Sequence, residues 1–388
     1  MSRFIQLHLL TSYPPANLNR DDLGRPKTAK MGGVDRLRVS SQSLKRTWRT
    51  SDIFADSISS PLGERTKLLG TQVFLYLIKN KVAFSKALAG ASSIAGVFGK
   101  NESAIDFKKV KESEKNKLHS KQKKKWISRD KDSLGIGEYP IEDLCKMEAL
   151  DISQLAFISE EEKSAAFSLA DRIIAGDDIK DLTGILRDKT SNVDIALFGR
   201  MLADTPSKNI EAACQVAHAI SVHQVAIEDD YFTAVDDLND HSEDAGAAHI
   251  GETGFAAGLF YSYICINKEL LINNLNGDIQ LANKAIAALT EAAIKVAPEG
   301  KQNSFGSRAY ASYVLAEKGN QQPRSLSVSF LKPVAKNSEN FGADAIEALE
   351  KQAANFDTVY GACADDSYSL NTLKPEGSLN ELLSFIAA

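Results

Sequence analysis

Residues 4–10, FIQLHLL, alternate so that Ile5, Leu7 and Leu9 share one side, the period of a half-buried strand. A long stretch rich in Pro, Gly and Asn follows (TSYPPANLNRDDLGRPKTAKMGG), and a loop of that length is either functional or disordered. VSSQSLKRTWR (39–49) then switches to a helical period. Ser40 and Ser41 are good caps, and a helix is predicted over about 42–54. From 58 to 190 helical periodicity dominates, in GERTKLLGTQVFLYLIKNKVAFSKALAGA and again in SEEEKSAAFSLADRIIAG, where Ser159 heads an acidic first turn.

Strand character returns at NVDIALFGRM (192–201), continues through ACQVAHAISVHQVAI (213–227) and is strong in FAAGLFYSYICIN (255–267). Between the last two, EDDYFTAVDDLNDHSEDAGAAHIGETG has no apolar core of its own and reads as a protruding hairpin or arm. A helix is predicted over 278–297, ended by Pro298 and Gly300, then strands at 311–317 and 326–330 and a helix at 342–356. With the insertions set aside, the order is that of an α+β, ferredoxin-like or RNA-recognition-motif core. The expected segments are a core in three parts (1–57, 191–227 and 252–388, the last with a C-terminal helix), a helical insertion at 58–190 and an arm at 228–251. Such a sheet can bind single-stranded RNA on an aromatic face. No RNP-type aromatic signature is present, so any grip on RNA must come from loops and the arm.

Composition narrows the classes. The 388 residues are 43% hydrophobic and 25% charged, ordinary for a globular protein. The opening segment is too short and polar for a signal peptide, and no uncharged apolar run of about twenty residues offers a membrane span. Four scattered cysteines without CxxC spacing argue for reduced core thiols in a cytoplasm, and no metal or cofactor is expected. The net charge of −5 does not advertise a nucleic-acid binder, but its distribution is uneven. Arg20, Lys27, Arg38, Lys45, Arg46 and Arg49 crowd the first fifty residues, a second basic block spans 100–131, and acids collect elsewhere.

The helix after Ser40 carries the most specific chemistry. Leu44 and Trp48 can pack inward at i,i+4, while Lys45 and Arg49 share a neighbouring i,i+4 row. Two like charges at that spacing repel unless an anion lies between them. The first-turn N–H groups and Gln42 add donors suited to phosphate, whereas the alternative is a solvated helix face. His218 and His223 lack the carboxylate or cysteine companions of a metal site and read as structural. Asp229, Asp230, Asp236 and Asp237 flank the arm and raise the rival of a metal-dependent nuclease.

Read in order, NLNRDD (17–22), MGG (31–33), RVSSQSLKR (38–46), DIALFGRM (194–201), AHAISVHQV (217–225), YFTAVDDL (231–238), AHIG (248–251) and GKQNSF (300–305) closely resemble one family. It is the CasC family, the repeated backbone subunits of type I-E CRISPR Cascade surveillance complexes. The resemblance is weakest across the helical insertion and the C-terminal tail. It implies a right-hand shape: the ferredoxin-like core is a palm, the helical insertion a set of fingers, and the arm a thumb. Copies of such a subunit stack along the guide (cr)RNA with other Cascade subunits, and the guide pairs with target DNA in segments. Guide contacts carried over by the resemblance fall on Arg20, Lys27, Ser40, Gln42, Lys45, Arg46, Arg49, Arg200 and Met201. Tyr231, Phe232, Thr233 and Ile250 would form the thumb wedge. Lys121, Lys123, Lys124 and Lys125, in a segment with few apolar anchors, are expected at the surface as target-DNA contacts. In related type III backbone subunits a loop aspartate cuts RNA, but the type I-E setting implies a non-cleaving scaffold. Two alternatives remain open: an RNA-directed nuclease subunit, and a single-strand RNA-binding module acting as a monomer.

Overall fold

Strand pairing at the start of the chain sets the architecture. The computed structural model describes residues 2–58, 60–179, 181–182, 184–234 and 249–388. It resolves into two units, one of residues 1–59, 213–273 and 277–388, the other of 60–212 with 274–276.

In the first unit the strands are β1 (Phe4–Ala16), β2 (Thr28–Met31), β3 (Val34–Val39), β4 (Cys214–Val216), β5 (Ala219–Ser221), β6 (Glu228–Ala234), β7 (His249–Asn267), β8 (Ala311–Gly319) and β9 (Asp366–Asn371). Its longer helices are α1 (Ser41–Arg49), α2 (Asp52–Ile58), α3 (Ile279–Lys295), α4 (Phe341–Tyr360) and α5 (Leu379–Ala387). The sheet runs β9-β8-β1-β7-β5-β3-β2, with β4 and β6 also on β7. Its pairings are antiparallel. The central order β8-β1-β7-β5, with helices between β1 and β4 and between β7 and β8, is that of a ferredoxin-like βαββαβ unit. The mixed α+β expectation therefore holds.

β1 is buried on both faces, not half-buried. Ile5, Leu7 and Leu9 face one side, while Leu10 joins Tyr261, Tyr313 and α4 residues Ala345, Ile346 and Leu349 in a cluster on the other. The strand also outlasts its predicted end. It pairs with β7 from Phe4↔Asn267 to Ala16↔Ala256, and its register breaks only between Tyr13 and Ala16, where Pro14 and Pro15 lack N–H groups. Part of the predicted long loop is a hairpin. β2 and β3 turn at Gly32 and Gly33, both at positive φ, as a two-residue hairpin loop demands. The single predicted helix over 42–54 is two, α1 and α2, broken at Thr50 and Ser51. LSVSF is not a strand: Ser327–Phe330 is a 3-10 turn that buries Leu326 and Phe330 four residues apart. Its alternation imitated a strand over too few residues to tell the two apart.

The second unit is helical, with helices Leu69–Lys79, Phe84–Gly96, Glu112–Arg129 and Glu160–Ala175 around Phe74, Leu77, Ile94, Trp126, Leu144 and Ile173. Ser159 caps the last helix in a reciprocal capping box with Glu162. NVDIALFGRM is a helix at Val193–Phe198 and not a strand. Val193 to Leu197 are all buried, so six residues give no periodicity to read. Gly199 ends that helix at φ +76, where a Cβ would meet the Ile210 carbonyl at 2.9 Å.

Each unit contains a buried polar cluster. In the first, Glu317 takes both Arg324 Nη1 at 2.6 Å and Nη2 at 3.0 Å, and His8 Nε2 lies 3.1 Å away. Burial alone would raise the Glu317 carboxyl, yet the hydrogen bonds from His8 and Arg324 hold it down to about 2. It is therefore ionised, so His8 Nε2 donates to it and Nδ1 accepts from the Tyr261 hydroxyl at 2.8 Å. Burial holds the His8 imidazole below its ordinary value despite the Glu317 carboxylate. In the second unit, Arg200 and Glu162 form a fully buried pair at 2.5–2.6 Å, and Arg200 also donates to the Arg187 and Lys208 carbonyls. Arg200 is thus an internal brace and leaves the set of guide contacts, because its guanidinium is committed inside the protein.

A histidine held below its unfolded value binds fewer protons folded than unfolded. Stability is thus complete above pH ~6.5 and drains as pH falls through that value. The melting temperature should fall between pH 7 and pH 5, and His8→Gln should lower it at pH 7 while flattening the slope; equal slopes would contradict the assignment. Arg200→Met should cost about 3–5 kcal/mol by stranding a buried carboxylate, with Glu162→Gln in the same chain recovering part of the loss. A urea-unfolding free energy for Arg200→Met within ~0.5 kcal/mol of the parent would mean the pair carries no such weight.

Candidate nucleic-acid interface

The polar segment after β1 is tightly organised. Asn17 Nδ2 donates to the Gly24 and Gly254 carbonyls, and the Asp21 carboxylate accepts the Leu23 and Arg25 N–H groups. Asn19 is its hinge. Its side-chain oxygen accepts the Ser40 N–H at 3.0 Å and its carbonyl accepts the Lys27 N–H at 2.8 Å. The Lys27 carbonyl in turn takes the Arg38 N–H at 2.8 Å. Arg20, Lys27, Arg38 and the start of α1 are therefore stitched into one surface.

Ser40 has the extended backbone of an N-cap and its hydroxyl accepts the Ser43 N–H at 3.4 Å. α1 buries Leu44, Thr47 and Trp48 and contains no acid. Gln42 and Arg46 are exposed, and Lys45 and Arg49 are half-buried. Arg46 and Arg49 also complement the C-terminal end of the helix dipole, so part of their value is structural. Arg20 and Arg46 share a cleft of about 570 Å³ with Ser43, Thr47 and the acids Asp21, Asp22 and Glu299. That cleft is mixed in charge. Two cations, Lys27 and Arg38, lie instead near the helix start.

There the Ser41 N–H donates to His218 Nδ1 at 2.9 Å, which fixes the proton of a neutral ring on Nε2. Burial first, then Arg38 and Lys27, hold this imidazole below its ordinary value, so at neutral pH it is an uncharged donor beside two cations. Reading the sequence for metal pairs missed His218 in this role. Arg38 and Asn19 were also missed, although the strand-to-cap spacing of RVSS placed Arg38 two residues from the cap. His223 is structural, with Nε2 accepting the Leu259 N–H at 3.1 Å. Among the described residues no group of three or more His, Cys, Asp or Glu is placed to hold a metal ion.

The arm is an antiparallel ribbon in its described part, β6 pairing with β7 from Glu228↔Phe255 to Ala234↔His249. Asp236 and Asp237 lie outside the described residues, as does the side chain of Ile250. Strand alternation places Tyr231 and Thr233 on one face and Phe232 on the other. Tyr231 is 65% exposed, whereas the Phe232 ring lies across Gly251, so the expected wedge is split between two faces. Asp229 pairs with Arg25 at 2.9 Å, tying the ribbon's base to the loop after β1.

In the second unit, Met201 stands 73% exposed just after the Gly199 turn. The lysine block is the helix Glu112–Arg129, and its lysines differ. Lys125 is largely covered and pairs with Glu148 and Asp151, correcting the expectation that all four lie open at the surface. Lys123 pairs with Glu138 at 3.0 Å. Lys121 and Lys124 are exposed, with no ion pair among the described residues. Trp126 is the anchor sequence reading overlooked; it is fully buried, its N–H donating to the Leu144 carbonyl at 3.1 Å.

No helix of the described residues is long and apolar enough to cross a membrane. A chain from a complex described as "CRISPR RNA-guided surveillance complex, pre-nicking" superposes with a TM-score of 0.77 at 27% identity, covering 99% of each chain. Another, from a "CRISPR RNA-guided surveillance complex", gives 0.56 at 22% identity over 99% of this chain and 98% of that one, a likeness of fold alone. A search of curated proteins finds no match. The family model described as "CT1975-like protein" covers residues 5–382, and on that near-complete match the chain belongs to the CT1975-like family of CRISPR-associated (Cas) proteins.

Proposed function

We propose that the chain is a crRNA-binding subunit of a Cascade-type CRISPR surveillance complex, specifically its repeated, non-catalytic backbone subunit in a complex of the type I-E kind, working in the cytoplasm. The observation that carries the reading is the likeness over 99% of both chains to a chain of an RNA-guided surveillance complex. The acid-free helix α1, with Lys27, Arg38 and His218 gathered at its start, supplies the chemistry such a role needs. On this reading the first unit is the palm, the second the fingers and the β6–β7 ribbon the thumb. Guide phosphates meet Arg20, Lys27, Ser40, Gln42, Lys45, Arg46 and Arg49, with Met201 against a displaced nucleotide. Other copies of the chain, other Cascade subunits and target DNA are the remaining partners. Asp229, engaged by Arg25, is a poor start for a two-carboxylate metal site, which favours the scaffold over the nuclease.

Lys45→Ala with Arg49→Ala should weaken binding of single-stranded RNA with little base preference. It should also flatten log K against log salt by about 0.7 per lost phosphate contact. An unchanged affinity and slope would refute the placement. In the same preparation, Lys121→Glu with Lys124→Glu should leave guide binding intact and slow target-DNA capture most at low salt, and guide RNA should survive Mg²⁺ uncut. Equal capture rates would return those lysines to plain surface, and regular cuts would make the chain a nuclease.

A further inference from the structure

Building on that reading, we propose that each copy of the chain also holds one guide nucleobase, without regard to its identity, in a slot on the sheet face beside His218. A sheet with this strand order commonly offers RNA bases an aromatic face. Here α4 and the segment Ser325–Phe330 cover that face around Tyr261 and Tyr313. The cover is incomplete. A cavity of about 230 Å³ remains, walled by Tyr261, Phe330, Ile220 and Met31 and edged by Ala217, His218, Ser325 and Ser327. It is smaller than the ~300–1,000 Å³ of sites for drug-sized ligands and suits one flat ring system.

Its walls are fixed before any ligand arrives. The buried Arg36 guanidinium donates to the Ser221 carbonyl at 2.9 Å and to the Phe330 carbonyl at 2.9 Å, clamping β3, β5 and the covering turn together. Tyr261 is held through His8 and the Leu326 N–H, and its ring lies 5.3 Å from that of Phe330. Polar residues edge the cavity: Ser327 and the His218 ring, whose Nε2 carries a proton, beside Ser325, whose Oγ already accepts the Ser327 N–H at 3.2 Å and lies 3.5 Å from the Tyr261 hydroxyl. The Ser327 hydroxyl can donate or accept as required, and the apolar walls read no base edge, so the slot does not select among bases. The charge at its mouth decides between a base and an apolar side chain as occupant. Lys27 and Arg38 act on His218, which is joined to the first turn of α1, so an apolar cavity borders a phosphate-binding surface as a nucleotide's two halves require.

The test is chemical probing of a single-stranded guide bound to the full chain, reading base edges with dimethyl sulfate and a carbodiimide and the backbone with hydroxyl radicals. Ala217→Leu fills the slot from one wall and Ser327→Leu from another, so a folding failure in one leaves the other informative. The parent should protect one base per bound copy at a regular interval. Both filled variants should raise reactivity at those bases about tenfold or more, while backbone protection stays. Backbone protection with base reactivity equal in parent and variants would overturn the slot and spare the guide-binding reading. Absence of backbone protection in the parent would overturn that reading and the slot with it. Loss of self-association without RNA in the filled variants would make the occupant a side chain of a second copy and overturn the base assignment.

Discussion

The pairing of β1 with β7 is the constraint on which the first unit depends. β1 lies at the start of the chain and β7 follows the whole helical segment, yet they pair residue by residue from Phe4↔Asn267 to Tyr13↔Gly258. Closing so long a loop costs entropy that only extensive burial offsets. The side chains on both faces of β1 provide it, from Ile5 to Leu10. Once the ladder is fixed, β7 carries β4, β5 and β6 as further partners. The position of His218, the base of the ribbon and the Asn17 contact to Gly254 all follow from that one strand.

Charge is divided between frame and surface, and burial draws the line. Arg36, Arg200 and Arg324 are spent on carbonyls and carboxylates within their units. Lys125 belongs with them. Arg20 and Arg46 stand exposed around a loop and helix start already tied together by the Asn19–Ser40 and Asn19–Lys27 hydrogen bonds. A polyanion bound there meets cations that need no rearrangement of the chain beneath them, which lowers the entropy cost of binding. This division reconciles a protein of net charge −5 with a nucleic-acid partner.

Much of this was legible in the residues, where periodicity was long or chemistry local. The strand FIQLHLL, the helix after Asp278, the Ser159 cap and the Ser40 cap are all present. Short apolar runs failed: VDIALF is a helix whose burial on every side erases the period, and LSVSF is a turn whose alternation is too short to tell from a strand. The strand Asp366–Asn371 and the helix Leu379–Ala387 were not foreseen; the strand's side chains are mostly exposed, which weakens the alternation. The cations around α1 were readable from spacing. The commitment of Arg200 to Glu162, and of His218 to the Ser41 N–H, depends on partners 38 and 177 residues away that no local pattern announces.

The central claim is that many copies of this chain line up along one guide RNA. Native mass spectrometry of the protein assembled on guides of increasing length tests it directly. The account predicts that protein mass grows in whole-copy steps, one added copy for each fixed increment of RNA. A single copy on every guide, whatever its length, would contradict it and leave a monomeric RNA-binding module.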